Sequence, residues 1–131
     1  MWNKFWNKIT STKELENIRL FFKSQIAVWL LILSGLSNAI NFAILWIWIE
    51  PVDYPIILHY NVYFGVDMIG DYRQAYFLPL TGLVLFVINL FLAIYFYAKK
   101  ERIASYILLM ATLMIQLSLI VGSLSIILIN Y

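Results

Sequence analysis

IAVWLLILSGLSNAINFAILWIWI, Ile26 to Ile49, runs for 24 residues without a charged side chain. As a helix rising 1.5 Å per residue it is about 36 Å long, enough to cross a hydrocarbon core of about 30 Å. Lipid offers no partner to backbone N–H and C=O groups, so an apolar run of this length is expected to be helical despite its β-branched residues. Two more runs meet the same test: LPLTGLVLFVINLFLAIYFY, Leu78 to Tyr97, and IASYILLMATLMIQLSLIVGSLSIILI, Ile103 to Ile129. Pro79 falls in a first turn, where its missing N–H has no intrahelical partner to lose. The expected fold is an all-α integral membrane protein with three transmembrane helices, about 26–49, 78–97 and 103–129. Residues 26–131 form the transmembrane domain, with a compact outer loop over about 50–77.

Composition agrees. Of 131 residues, 63% are hydrophobic and 12% charged, with a mean hydropathy of +0.85. Soluble domains carry about a quarter charged residues. Cysteine is absent, which excludes disulfides, thiolate metal sites and thioether-linked haem. No basic face for nucleic acid is present, and no cofactor motif, so none is expected.

Charge placement predicts orientation. Lys4, Lys8, Lys13, Arg19 and Lys23 precede the first run, and Lys99, Lys100 and Arg102 separate the second from the third. Arg73 alone of the nine basic residues lies between the first two. The positive-inside rule then puts the amino terminus and residues 98–102 in the cytoplasm, and the 50–77 loop and Tyr131 outside, in a multi-pass cell (plasma or inner) membrane protein. Trp46, Trp48, Tyr54 and Tyr76 mark one interface; Tyr95, Tyr97 and Tyr106 mark the other. The first run is too long for a signal peptide and lacks a small-x-small site before WIWIEP, so it is expected to stay as an anchor.

Residues 1–25 form an amphipathic segment on the cytoplasmic side. Trp2, Phe5, Trp6 and Ile9 share one helical face, with Lys4 and Lys8 off it. That is the pattern of an interfacial helix resting on lipid, with a frayed basic tail as the alternative. Ser11 to Glu14 fits a capping box for a second helix through ENIRLFFK.

Inside the spans the strongest polar groups are Asn38, Asn41, Asn89 and Gln116. Asn38 and Asn41 share a face with Ser34, and Asn89 shares one with Gly82 and Ala93. On the third run Ala111, Ser118, Gly122 and Ser125 make a small-residue stripe, with Thr112, Gln116 and Ser123 beside it. These groups are expected to pack helices together through close approach and interhelical hydrogen bonds. The alternative is a polar path, but no span core holds an ionisable residue, as proton or ion coupling commonly requires.

The loop HYNVYFGVDMIGD, His59 to Asp71, holds the only histidine. Alternation puts Leu58, Tyr60, Val62 and Phe64 on one side of an extended segment, with His59, Asn61 and Tyr63 on the other. Gly65 and Gly70 permit turns. His59, Asn61, Asp67 and Arg73 are expected to fasten a folded cap, whose apolar side rests on the helix ends or a neighbour. A cation held by His59 and carboxylates, or general acid–base work, stays open as the alternative. The loop has no serine for a triad, and zinc usually needs more ligands of the Cys/His type.

Pro55-Ile-Ile-Leu-His59-Tyr60-Asn61, followed by Gly65, Asp67 and Gly70, resembles the extracytoplasmic segment of a bacterial membrane family of unknown function that includes SdpI-type toxin-immunity proteins. The likeness covers about residues 51–92, including the Pro-containing run FLPLTGLVLFVINL. His59 and Asp67 keep the family's eight-residue spacing. The glycine comes one place late, the proline lies four rather than two before the histidine, and the family's usual following lysine has no clear counterpart unless Arg73 replaces it. Most members of that family have no assigned biochemical activity, so the resemblance implies topology more than function.

Taken with the residues themselves, the expected function is a small non-enzymatic membrane protein, an accessory or assembly subunit. It would work through contacts with lipid and with another integral membrane protein or itself. Recognition of a peptide or toxin by the outer loop is the alternative.

Overall fold

A computed structural model describes residues 12–131, with side chains from residue 15 onward. Trp2, Phe5, Trp6, Ser11 and the Glu14 side chain lie outside what is described, and with them the interfacial helix and the capping box. The elements run in the order α1 (Thr12–Lys23), α2 (Gln25–Trp48), β1 (Ile56–Asn61), β2 (Gly65–Gly70), a 3-10 turn (Tyr72–Tyr76), α3 (Phe77–Ala98) and α4 (Arg102–Asn130). Three helical stretches are long and apolar enough to cross a membrane: α2, α4, and α3 with the turn that leads into it.

Local chemistry sets the joints. Ser24 is extended between α1 and α2, and its hydroxyl accepts from the Ala27 N–H at 3.5 Å, as an N-cap should. The same hydroxyl meets the Tyr106 phenol at 2.9 Å, tying the start of α2 to α4. Phe21 then turns α1 onto the bundle. It is fully buried with Ala27, Ala93 and Leu109, and stands edge-on to Tyr97 at 5.4 Å. At the far end of α3, Lys100 takes a left-handed φ of 67°, closing the short turn into α4.

α4 packs along both α2 and α3, whereas α2 and α3 touch each other less. The three meet at one polar knot. Asn38 on α2 donates to the Pro79 carbonyl at 2.9 Å and to Gln116 Oε1 at 3.1 Å. Gln116 on α4 donates to the Gly82 carbonyl on α3 at 2.7 Å. A Cβ at position 82 would lie 2.6 Å from Gln116 Oε1 and 2.9 Å from Asn38 Nδ2. Glycine is therefore what lets the two amides reach the α3 backbone. One turn-pair away, Asn89 donates to Thr112 at 3.0 Å, and the Ser105 hydroxyl donates to the Ala93 carbonyl at 2.8 Å. Each such bond contributes about 0.6–2 kcal/mol in a bilayer.

Asn41, Ser34 and Ser123 are buried too, but the Asn41 amide and both hydroxyls find no hydrogen-bond partner among the described residues. Asn41 is thus packed where the sequence puts it without making the expected bond.

Two expectations need correction. The face of α4 that packs is Ser105, Leu109, Thr112, Gln116 and Ser123, not the stripe of Ala111, Ser118, Gly122 and Ser125. On that stripe the exposed Ser118 and Ser125 hydroxyls turn back to the carbonyls of Met114 and Val121, which satisfies them within their own helix. The outer loop, in turn, is a β-hairpin rather than a single extended segment, so the chain is not wholly α.

Candidate functional site

β1 and β2 pair antiparallel from Ile56–Gly70 at the root to Asn61–Gly65 at the tip. The tip is a three-residue loop closed by Gly65 at φ 79°, a left-handed position that side chains resist and that suits this loop length. Asn61 Oδ1 accepts from the Tyr63 N–H at 2.9 Å, a side-chain turn that shapes the loop.

The register is irregular between Ile57 and His59 and again between His59 and Tyr60. A bulge of this kind ends strict alternation. Hence Leu58 packs on the core beneath the hairpin, while Val62 and Phe64, expected on the same side, are each 84% exposed, and Tyr63 is 91% exposed. The expected buried face stops at Leu58.

The root is held firmly. Ile56 and Ala75 are buried with Leu45, Ile49, Ile126 and Ile127. Asn130, the last residue of α4, grips β1 from both sides: its Oδ1 accepts from the Ile57 N–H at 2.8 Å and its Nδ2 donates to the Ile57 carbonyl at 2.7 Å. Asn130 thereby acts as a short extra strand edge. Sequence reasoning missed it, although an amide closing an otherwise apolar helix was the available signal.

The four expected fasteners separate. His59 Nδ1 lies 2.6 Å from Asp67 Oδ1, with the two side chains 62% and 42% exposed. An ionised carboxylate can only accept, so the imidazole Nδ1–H is the donor in this bond. Asp67 thus pairs with His59 and not with Arg73. Arg73 donates from Nε to the Tyr72 phenol at 3.2 Å and lies over that ring at 5.5 Å. Asp71 caps the 3-10 turn, accepting from the Arg73 N–H at 2.8 Å. Asn61 serves the tip alone. The structure therefore brings together His59 with Asp67, and Arg73 with Asp71, at two separate places.

Between the hairpin and the adjoining ends of α3 and α4 lies a half-open cavity of about 560 Å³. Leu58, His59 and Met68 of the hairpin line it, with Gln74, then Phe77, Leu78 and Thr81 of α3, and Gly122, Ser125, Ile126 and Ile129 of α4. Its size is that of a small-ligand site. Chemically the arrangement offers an oriented imidazole over an apolar floor. Among the described residues, no three His, Asp or Glu side chains converge as a metal site would require. No protein-family model, curated protein or solved structure matches the chain.

Proposed function

We propose that this chain is a non-enzymatic multi-pass membrane protein, an accessory or assembly subunit that binds another integral membrane protein through its outer hairpin. One observation carries the reading. Val62, Tyr63 and Phe64 stand bare at the tip of a hairpin whose root is bonded to the bundle through Asn130. Three adjacent large apolar side chains held out on an anchored platform form a contact surface that needs no rearrangement to bind.

The positive-inside rule supports a cytoplasmic amino terminus, with the hairpin and carboxyl terminus outside the cell membrane. Because the chain has no cysteine, Asp53→Cys and Lys100→Cys can be probed in intact cells with an impermeant thiol reagent. Asp53→Cys is expected to label and Lys100→Cys to stay unlabelled; the reverse would invert the topology.

The partner reading is tested by extracting the native protein in mild detergent and measuring the mass of the intact particle. A discrete complex that dissociates in Tyr63→Ser/Phe64→Ser supports it, and a monomer from native membranes argues against it. A second reading, recognition of an extended peptide or toxin, is favoured by the outer edge of β2, which among the described residues has no strand beside it and to which a strand could add. It also accords with the likeness of residues 51–92 to the toxin-immunity family.

A further inference from the structure

We propose that α1 is a docking helix for an anionic lipid surface, with Leu15, Ile18 and Phe22 in the leaflet and Arg19 and Lys23 at its phosphates. This docking requires α2, α3 and α4 to be membrane spans, and it is independent of the hairpin tip. In a helix of 3.6 residues per turn the three apolar residues fall on one stripe. They are 59%, 40% and 50% exposed, so the bundle leaves the stripe bare. It holds α1 by a different side: among the described side chains of α1, Phe21 alone is buried and Asn17 is half-buried. Leu20 apart, the remaining described surface is Glu16, Arg19 and Lys23.

Depth selects the occupant. Phe21 packs with Ala93 and Leu109, which lie inside the candidate spans and not in the turn between α3 and α4. Ser24, the joint to α2, bonds the phenol of Tyr106, also within a span. The last turn of α1 is therefore level with the ends of the spans, one residue from the start of α2. A stripe bared at that height meets headgroups and the upper acyl region.

Charge selects the lipid. Among the described side chains, Arg19 and Lys23 adjoin the stripe, and Lys99, Lys100 and Arg102 flank the neighbouring turn, against Glu16 and Glu101. Tyr97 brings the two groups together, with Phe21 edge-on to its ring at 5.4 Å and the Arg102 guanidinium over it at 5.5 Å. Among the described residues, the ion pairs are His59–Asp67 and Asp71–Arg73, both at the other end of the bundle. Basic residues alone would only orient a chain. Beside a bare apolar stripe they make the pattern of a helix lying on anionic lipid. A second copy on the stripe would instead set Arg19 and Lys23 against their own kind.

The full chain, which has no native cysteine, is spin-labelled at single sites in vesicles of phosphatidylcholine alone or with an equal part of phosphatidylglycerol. A label at Ile18→Cys should favour collision with oxygen, as a membrane-buried site does, and one at Glu16→Cys should favour an aqueous nickel chelate. Phosphatidylglycerol should shift the Ile18→Cys label toward its docked population. Arg19→Gln and Lys23→Gln should each lower the docked-to-free ratio roughly five-fold, and raised salt should lower it without any substitution. Leu36→Cys, exposed midway along α2, reports separately on the span. Oxygen preference at Leu36→Cys without it at Ile18→Cys would overturn the docking and spare the membrane reading; its absence at both would overturn both. Equal docked-to-free ratios in the two kinds of vesicle would also overturn the assignment. So would spin–spin broadening at Ile18→Cys, which would put a second copy on the stripe.

Discussion

In the bundle, Asn38, Gln116 and Ser105 direct their hydrogen bonds to backbone carbonyls of neighbouring helices, and all three are buried. In the hairpin, His59 and Asp67 bond each other with both side chains largely in the open. The chemistry is similar but the worth differs. A bond between helices in lipid contributes about 0.6–2 kcal/mol, whereas an exposed ion pair contributes about 0–1 kcal/mol. Stability therefore resides in the bundle and the hairpin root, which leaves the hairpin's surface free to be spent on contacts.

The comparison breaks most easily at Gly82. Gly82→Leu should cost about 3 kcal/mol by overpacking, because its first carbon already collides with the Gln116 and Asn38 amides. Unfolding titrations in mixed SDS micelles measure this, and a change within about 0.5 kcal/mol would mean that the knot is not formed. Leu58→Asp comes next, at about 2 kcal/mol, since it puts a charge against the buried cluster of Leu45, Ile56 and Ile126. Its neighbour on the same nominal face, Val62→Asp, should stay within about 0.5 kcal/mol because that side chain is at the exposed tip. Equal penalties for the two would restore regular alternation and remove the bulge.

Asn130→Leu should act locally. Losing its bonds to Ile57 should raise hydrogen exchange at that amide by roughly ten-fold, while exchange in the middle of α2 stays unchanged. His59→Gln is the mildest change. It should alter unfolding by at most about 1 kcal/mol, and a larger loss would move His59 from the hairpin surface into its support.

The spans were legible almost to the residue: expected ranges of 26–49, 78–97 and 103–129 stand beside Gln25–Trp48, Phe77–Ala98 and Arg102–Asn130. A long uncharged run leaves the backbone few alternatives, and charged or proline-bearing joints mark its ends. Asn38, Asn89 and Gln116 were legible because an amide in an apolar helix favours a packed interface with polar partners, although Asn41, buried without a partner among the described residues, shows that the bond does not follow from the residue type alone. Which face of α4 packs was not, because Ala111, Ser118, Gly122 and Ser125 are small enough for an interface and equally tolerable toward lipid. The hairpin was half legible. Leu58 to Asn61 alternates as a strand, but GVDMIG has two glycines and an aspartate, residues that ordinarily argue against one. Pairing with β1 overrides that local preference, and β1 is itself held by Asn130, a contact 73 residues away in sequence.

If the hairpin tip is the contact surface proposed above, a photoactivatable residue in place of Tyr63 will report it. Irradiated in native membranes, this position should give one discrete crosslinked protein species, reduced strongly by Phe64→Ser and by Asn130→Leu. The same probe at Ile107, on an exposed flank of α4, should give lipid adducts. Only lipid or solvent adducts at position 63, or a protein crosslink that survives Asn130→Leu at full yield, would contradict the account.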